Sequence, residues 1–146
     1  MNKIRNLGLE DIEKCIELFI AVFNAEPWND NWTPESAYHR LHDIFISPHF
    51  VGLVYEDNDK LLGAVFGNIE QWYEGMHYNL REIFVSNEAQ GKGIGQRLLA
   101  KLESKIKASD VRTVILFTSR DDKTNGFYKK NGYIDFDDMV MMGKEI

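Results

Sequence analysis

The sequence predicts a single α/β domain, residues 1–146, with a mixed sheet flanked by helices. Three observations carry that reading. The chain has 146 residues, 44% of them apolar and 27% charged, which is enough for one packed core and too apolar for disorder. Apolar residues recur at helical spacing up to about residue 45 and at a period of two from residue 50. Beyond residue 86 the pattern alternates between helix and strand, the signature of an α/β arrangement.

Each element has its own signal. Ile4 belongs to a short opening strand. The acids Glu10 and Asp11 suit the positive end of a helix dipole. Ile12, Cys15, Ile16, Phe19, Val22 and Phe23 then fall three and four residues apart, predicting an amphipathic helix over 9–24. Residues 25–32 (AEPWNDNW) form a loop, and Thr33-Pro34-Glu35 supplies a capping hydroxyl, a proline at the first helical position and an acid. That second helix runs through Tyr38, Leu41 and Phe45 towards Pro48. Strands are predicted over 50–56 and 61–69 around the polar turn Asp57-Asn58-Asp59-Lys60, which reads as a hairpin. A loop follows over 71–76, then a strand over 78–86 (YNLREIFVS). Apolar residues at 94, 98, 99, 102 and 106 define a helix over 94–107. Residues 111–118 (VRTVILFT) read as a strand buried on both faces. A short helix over 124–130 stops at Asn131-Gly132, and strands over 133–136 and 139–143 close the chain.

Composition also sets bounds on function. The net charge is −6, which argues against a protein that coats nucleic acid. The longest uninterrupted apolar run, Leu18 to Phe23, is far short of the roughly 20 residues of a membrane span. Acids at 10, 11, 13 and 17 break up any secretory leader. The single Cys15 cannot form an internal disulfide and sits at a core spacing. These features predict a cytoplasmic protein with neither nucleic-acid nor membrane partners. The charge is uneven, however. Residues 90–130 hold ten basic and four acidic residues, net +6, while the remainder carries net −12. One stretch is suited to an anion and the rest to a cation.

The segment that carries chemistry is the strand 78–86, the turn Asn87-Glu88-Ala89-Gln90-Gly91-Lys92-Gly93-Ile94-Gly95, and the helix behind it. A glycine-rich turn opening a helix presents unpaired backbone N–H groups at the positive end of a dipole, a cradle for a pyrophosphate. The letters separate the known phosphate loops. Gly93 stands where a P-loop needs Ser or Thr, and Gln96 or Leu98 stands where a dinucleotide fingerprint needs Gly or Ala. What remains is Gln-x-x-Gly-x-Gly at Gln90, Gly93 and Gly95.

That motif, following Ile83-Phe84-Val85, resembles the acetyl-CoA loop of the GCN5-related N-acetyltransferase family. A second block, Gly126-Phe127-Tyr128-Lys129-Lys130-Asn131-Gly132-Tyr133, is similar to the family's late helix. The resemblance implies the acyl-CoA N-acyltransferase fold, with a largely antiparallel sheet. It implies that the main chain of Gln90, Gly91, Lys92, Gly93, Ile94 and Gly95 holds the CoA pyrophosphate. Phe84 and Val85 would pair with the pantetheine arm like an added strand, Tyr128 would protonate the departing thiolate, and Lys129 would be a further phosphate partner. Asn125 is placed beside the pantetheine. Asp121 and Thr124 stand where family members often have Asn and Ala. Transfer would be direct, from acetyl-CoA to an amine in a ternary complex, with no metal. A dimer through the terminal strands is common in the family.

Further residues have two readings each. Glu82 is either the base that takes the amine proton or a strand-surface carboxylate beside Arg81. His39 and His42, beside Asp43, have a metal-like spacing but no third ligand. Glu26, Trp28, Asp30, Trp32, Glu70, Trp72, Tyr73 and Glu74 interleave acids with aromatics in two loops. Those suit a cationic amine by charge and cation–π attraction, or they plug the ends of the core. The expected acceptor is a small cationic amine of polyamine or aminoglycoside type. The alternatives are a peptide N-terminus, or a non-catalytic acyl-CoA-binding module.

Overall fold

A computed structural model describes residues 1–121 and 123–146. Asp122, one of the four acids counted in the basic stretch, lies outside them. The chain divides into two compact units, residues 1–116 and 117–146.

The first unit is a five-stranded sheet in the order β1 (Asn2–Asn6), β2 (Phe50–Asp57), β3 (Lys60–Trp72), β4 (Gly75–Val85), β5 (Val111–Ile115). All neighbours are antiparallel except β4 and β5, which are parallel. Helices α1 (Ile12–Phe23) and α2 (Pro34–Phe45) lie on one face and α3 (Ile94–Lys107) on the other. Strand alternation explains the division. Val54, Ala64, Phe66 and Phe84 join the apolar faces of α1 and α2 in one cluster. Gly63, one residue out of phase with Ala64, lies under α3, where an added Cβ would stand 3.1 Å from Leu98 and 3.3 Å from Ile94. Its missing side chain lets the first turns of α3 settle against the sheet.

Local chemistry fixes the boundaries. A 3₁₀ turn over Leu9–Asp11 precedes α1. Thr33 caps α2 reciprocally with Ser36: each backbone N–H donates to the other's hydroxyl at 3.0 Å. The β2–β3 turn is Asn58-Asp59, with φ of 51° and 65°, the left-handed pair a tight hairpin needs.

Three expectations change. The loop expected over 71–76 is mostly strand, because β3 and β4 pair out to Trp72 and Gly75 across Tyr73-Glu74. β5 ends at Ile115, and Arg112 and Thr113 are exposed, so it is not buried on both faces. Among the described residues, β5 pairs along one edge only. Among the described residues, 133–136 and 139–143 are not strands. Asp135, Asp137 and Asp138 break the alternation there, and a turn closes from the N–H of Met139 to the carbonyl of Phe136 at 3.1 Å.

The second unit contains α4 (Thr124–Lys130). Asp121 starts it: one carboxylate oxygen accepts from the N–H of Lys123 at 3.0 Å and from the N–H and hydroxyl of Thr124 at 2.9 and 3.0 Å. Gly132, at φ 90°, ends it, and the Tyr133 N–H closes onto the Tyr128 carbonyl at 3.0 Å. Among the described residues no helix is long and apolar enough to cross a membrane.

Candidate active site

The turn between β4 and α3 leaves the amides of its glycine-rich half without a protein acceptor among the described residues. After Val85, a 3₁₀ turn over Asn87–Ala89 redirects the chain. The Gln90 side chain then ties the loop back, donating to the Val85 carbonyl at 3.2 Å and the Asn87 side chain at 3.0 Å. Gly91 and Gly93 adopt φ of 81° and 78°, and nothing lies within 4 Å of where either Cβ would stand. The backbone conformation thus requires glycine at both, and the space beside them is open. Among the described residues, the amides of residues 91–96 donate to no protein acceptor. They crown α3, whose dipole favours an anion at that end.

Sequence reasoning did not single out Arg97. Its guanidinium reaches the carbonyls of Gly93 and Lys92 at 3.4 Å each and stacks 5.1 Å over the Tyr55 ring. Its position one helical turn after Gly93 was the available signal.

β4 leads into this turn with two irregularities. Its pairing with β5 runs from Met76 to Asn79 and stops, so the outer edge of residues 80–85, including Phe84 and Val85, has no strand partner among the described residues. An open edge of that kind can receive an extended ligand as an added strand. On its inner side, Glu82 pairs with Phe66 but Leu80 with Gly67, leaving Arg81 as an extra residue. The bulge changes the parity of the strand. Tyr78 and Leu80 share a face with Gly67 and Ile69, whereas Glu82 and Phe84 share the face of Phe66 and Ala64, towards α1 and α2.

Glu82 is therefore not an ordinary surface carboxylate. Its side chain is 17% exposed and its Oε2 accepts from Arg40 Nε on α2 at 3.0 Å. Burial pushes its carboxyl above the usual range, opposed by the charges of Arg40 and Arg81 and reinforced by Asp30. Arg81, the neighbour named in the alternative reading of Glu82, is not its hydrogen-bond partner; Arg40 is. Arg40 is a second residue sequence reasoning missed, since nothing in a single sequence links positions 40 and 82.

The acid-and-aromatic loops behave in two ways. Trp28 packs 5.6 Å from Phe23 and Trp32 4.9 Å from Phe19, so both plug the core. Asp30 accepts from the Trp32 ring N–H at 3.1 Å and remains exposed, as does Glu26. Trp72 and Tyr73 are exposed at the β3–β4 turn. Glu70 holds His77 at 2.9 Å and Asn79 at 3.1 Å, and these contacts, Asn79 foremost, lower its carboxyl below the usual range. His39 lies 4.0 Å from Glu35 and His42 stacks on Tyr38 at 4.9 Å. Among the described residues, no three His, Cys, Asp or Glu side chains gather around a common point fit for a metal.

In the second unit, Tyr128 is half-buried between Phe127 and Tyr133, with ring centroids at 5.1 and 5.7 Å. Lys129 pairs with Asp135 at 3.6 Å, and the Asn125 amide reaches the same carboxylate at 3.5 Å. Both residues thus have an internal anionic partner.

Known structures share this fold over nearly the full chain. A predicted acetyltransferase with acetyl-CoA from Clostridium acetobutylicum superposes with a TM-score of 0.76 at 17% identity, covering 98% of this chain and 96% of that one. An aminoglycoside N-acetyltransferase AAC(6')-Iy in complex with CoA gives 0.79 at 14%, covering 100% and 96%. Glucosamine-6-phosphate N-acetyltransferase from Arabidopsis thaliana gives 0.70 at 24%, covering 99% and 98%. At these identities the likeness is one of fold. The family model described as acetyltransferase (GNAT) family matches residues 12–133, which include the free-amide turn, the bulged strand and Tyr128, so the chain belongs to that family and is an acetyl-CoA-dependent N-acetyltransferase.

Proposed function

We propose that the protein transfers the acetyl group of acetyl-CoA to the primary amine of a small cationic acceptor, by direct attack in a ternary complex. The observation that carries this reading is the run of unpaired amides over residues 91–96 beside the open edge of residues 80–85. In it, the amides of Gly91 to Gly95 bind the diphosphate of CoA, with Lys92 adding charge. The main chain at Phe84 and Val85 pairs with the pantetheine arm and directs an N–H at the thioester carbonyl, where negative charge develops. Glu82 takes a proton from the acceptor's ammonium, freeing the lone pair that attacks. Tyr128 gives a proton to the departing thiolate as the C–S bond breaks, and the surplus proton on the acylated nitrogen passes to the Tyr128 oxygen, restoring the phenol. Asn125 and Lys129 are the further contacts to the CoA arm, at the cost of their link to Asp135.

The acceptor class follows from charge. Glu82 lies on β4, Asp30 in the loop before α2 and Glu70 on β3, and exposed Trp72 and Tyr73 add aromatic surface at the β3–β4 turn. Carboxylates with aromatic faces favour a polyamine- or aminoglycoside-like amine. That two aminoglycoside acetyltransferases share this fold supports the choice.

The test is CoA release from acetyl-CoA over a panel of polyamines, aminoglycosides, amino acids and peptides. A polyamine or aminoglycoside should give the highest kcat/KM. Tyr128→Phe should lower kcat about 100-fold and leave the acetyl-CoA Kd, by calorimetry, unchanged. A preference for peptides would reassign the acceptor. Tight acetyl-CoA binding with no release on any amine would make the protein a binding module.

A further inference from the structure

Arg40 and Glu82 lie 42 residues apart, on α2 and β4, and meet at 3.0 Å from Nε to Oε2. Nη2 of the same guanidinium reaches the Arg81 carbonyl at 3.4 Å. One side chain thus spans the bulge, holding the extra residue by its carbonyl and the next by its carboxylate. The pair is largely withdrawn from water, with side chains 32% and 17% exposed. Ion pairs so placed contribute little net stability, because desolvation offsets their attraction. Glu82 Oε1 makes no hydrogen bond among the described residues, and no side-chain N or O there is both fully buried and unpartnered, so Oε1 keeps access to solvent.

We propose that Arg40 is a positioning residue for the transfer reaction: it clamps Glu82 through Oε2 across the bulge and leaves Oε1 to take the acceptor's proton. In that step an N–H bond of the acceptor ammonium breaks, an O–H bond forms at Oε1, and the amine keeps the electron pair. The proposal rests on Glu82 acting as the base. The charged groups facing Glu82 are Arg40 from α2, Arg81 from its own strand and Asp30 from the loop before α2, while β3 presents Phe66. Burial raises the basicity of Glu82, and Arg40, its only hydrogen-bond donor among the described residues, limits the rise. A more basic carboxylate is the better proton acceptor, and the facing guanidinium favours the charged form that can accept.

The test compares the wild type with Arg40→Met, Arg40→Lys and Glu82→Gln, each checked for folding by thermal denaturation. The Glu82 carboxyl is titrated by ¹³C NMR on glutamate-labelled protein and assigned by its absence in Glu82→Gln. In Arg40→Met its midpoint should rise by about one pH unit, with Arg40→Lys in between. With spermidine or kanamycin as acceptor, the acid limb of kcat/KM should move up equally. On that limb, below both midpoints, kcat/KM should fall about tenfold, with the acetyl-CoA Kd unchanged. A purely structural Arg40 would lower the melting temperature and leave the acid limb of kcat/KM in place even as the carboxyl midpoint moves, and that result overturns the proposal. Full activity in Glu82→Gln would overturn it too, by removing the base it rests on. If the wild type turns over neither amine, the acceptor reading falls and the acid limb is compared with the best acceptor of the wider amine and peptide panel, where the same shift is expected. Should Arg40→Met fail to fold, Arg40→Lys carries the same comparison with a smaller shift.

Discussion

Cys15 sits on the buried face of α1 with no exposed surface, and burial pushes its thiol up to about 12. A thiol held protonated and sealed from solvent is neither a nucleophile nor an accessible target. Cys15→Ala should therefore transfer acetyl groups within twofold of the wild-type rate, and the native protein should not react with an aromatic disulfide reagent. Loss of turnover in a folded Cys15→Ala would bring a covalent route back. The helical spacing of apolar residues around position 15 already pointed to a core role. The environment of Glu82 was beyond such reading, because the bulge at Arg81 decides which face it occupies, and strict alternation places it on the other. Arg40 was equally hidden: its partner is fixed by how α2 crosses the sheet, which no local pattern encodes.

At the scale of elements, the turn after β4 is the most exacting backbone in the first unit. Gly93→Ala places a Cβ at φ 78°, costing about 1–2 kcal/mol, and it adds a methyl group to the amide cluster. The expected result is an acetyl-CoA affinity at least tenfold weaker by calorimetry, with a melting temperature only roughly 3–6 °C lower. Unchanged affinity would mean that these amides do not carry the diphosphate. Turn chemistry made this loop readable in the sequence, as it did the Asn58-Asp59 hairpin and the Thr33-Pro34 start of α2. All three depend on residues whose own geometry dictates the backbone. The outer β3–β4 hairpin was not readable that way. Glu70, Gln71, Trp72, Tyr73 and Glu74 lack alternation, and the strands persist there by pairing with each other to Trp72 and Gly75. The terminal segments erred in the opposite direction: Tyr133, Ile134 and Phe136 have strand propensity, but propensity alone makes no strand without pairing.

At the scale of the whole molecule, acidic charge exceeds basic by six, and the pH dependence of stability turns on which carboxylates folding perturbs. Arg5 on β1 joins three segments of the sheet unit. Its Nη1 and Nη2 donate to Asp11 at 2.8 Å each, while Nε and Nη2 donate to Glu56 at 3.0 and 3.2 Å. Hydrogen bonding to Arg5 holds both carboxyls below the usual range. A carboxyl depressed by folding stabilises fully above its unfolded pKa, about 4, and loses that contribution as pH falls through the folded value. Glu82, raised by burial, acts in the opposite sense, with stability lost as pH rises through its folded value. Urea unfolding followed by circular dichroism should accordingly show the wild type weakening steeply below about pH 4. Arg5→Met leaves Asp11 buried at 4% exposure without its cation. It should be less stable at pH 7 by about 3 kcal/mol, and its stability should fall less between pH 5 and 3, because the depressed carboxyls then titrate near their ordinary range. Parallel pH curves for the two proteins would show that the Arg5 contacts do not govern acid unfolding.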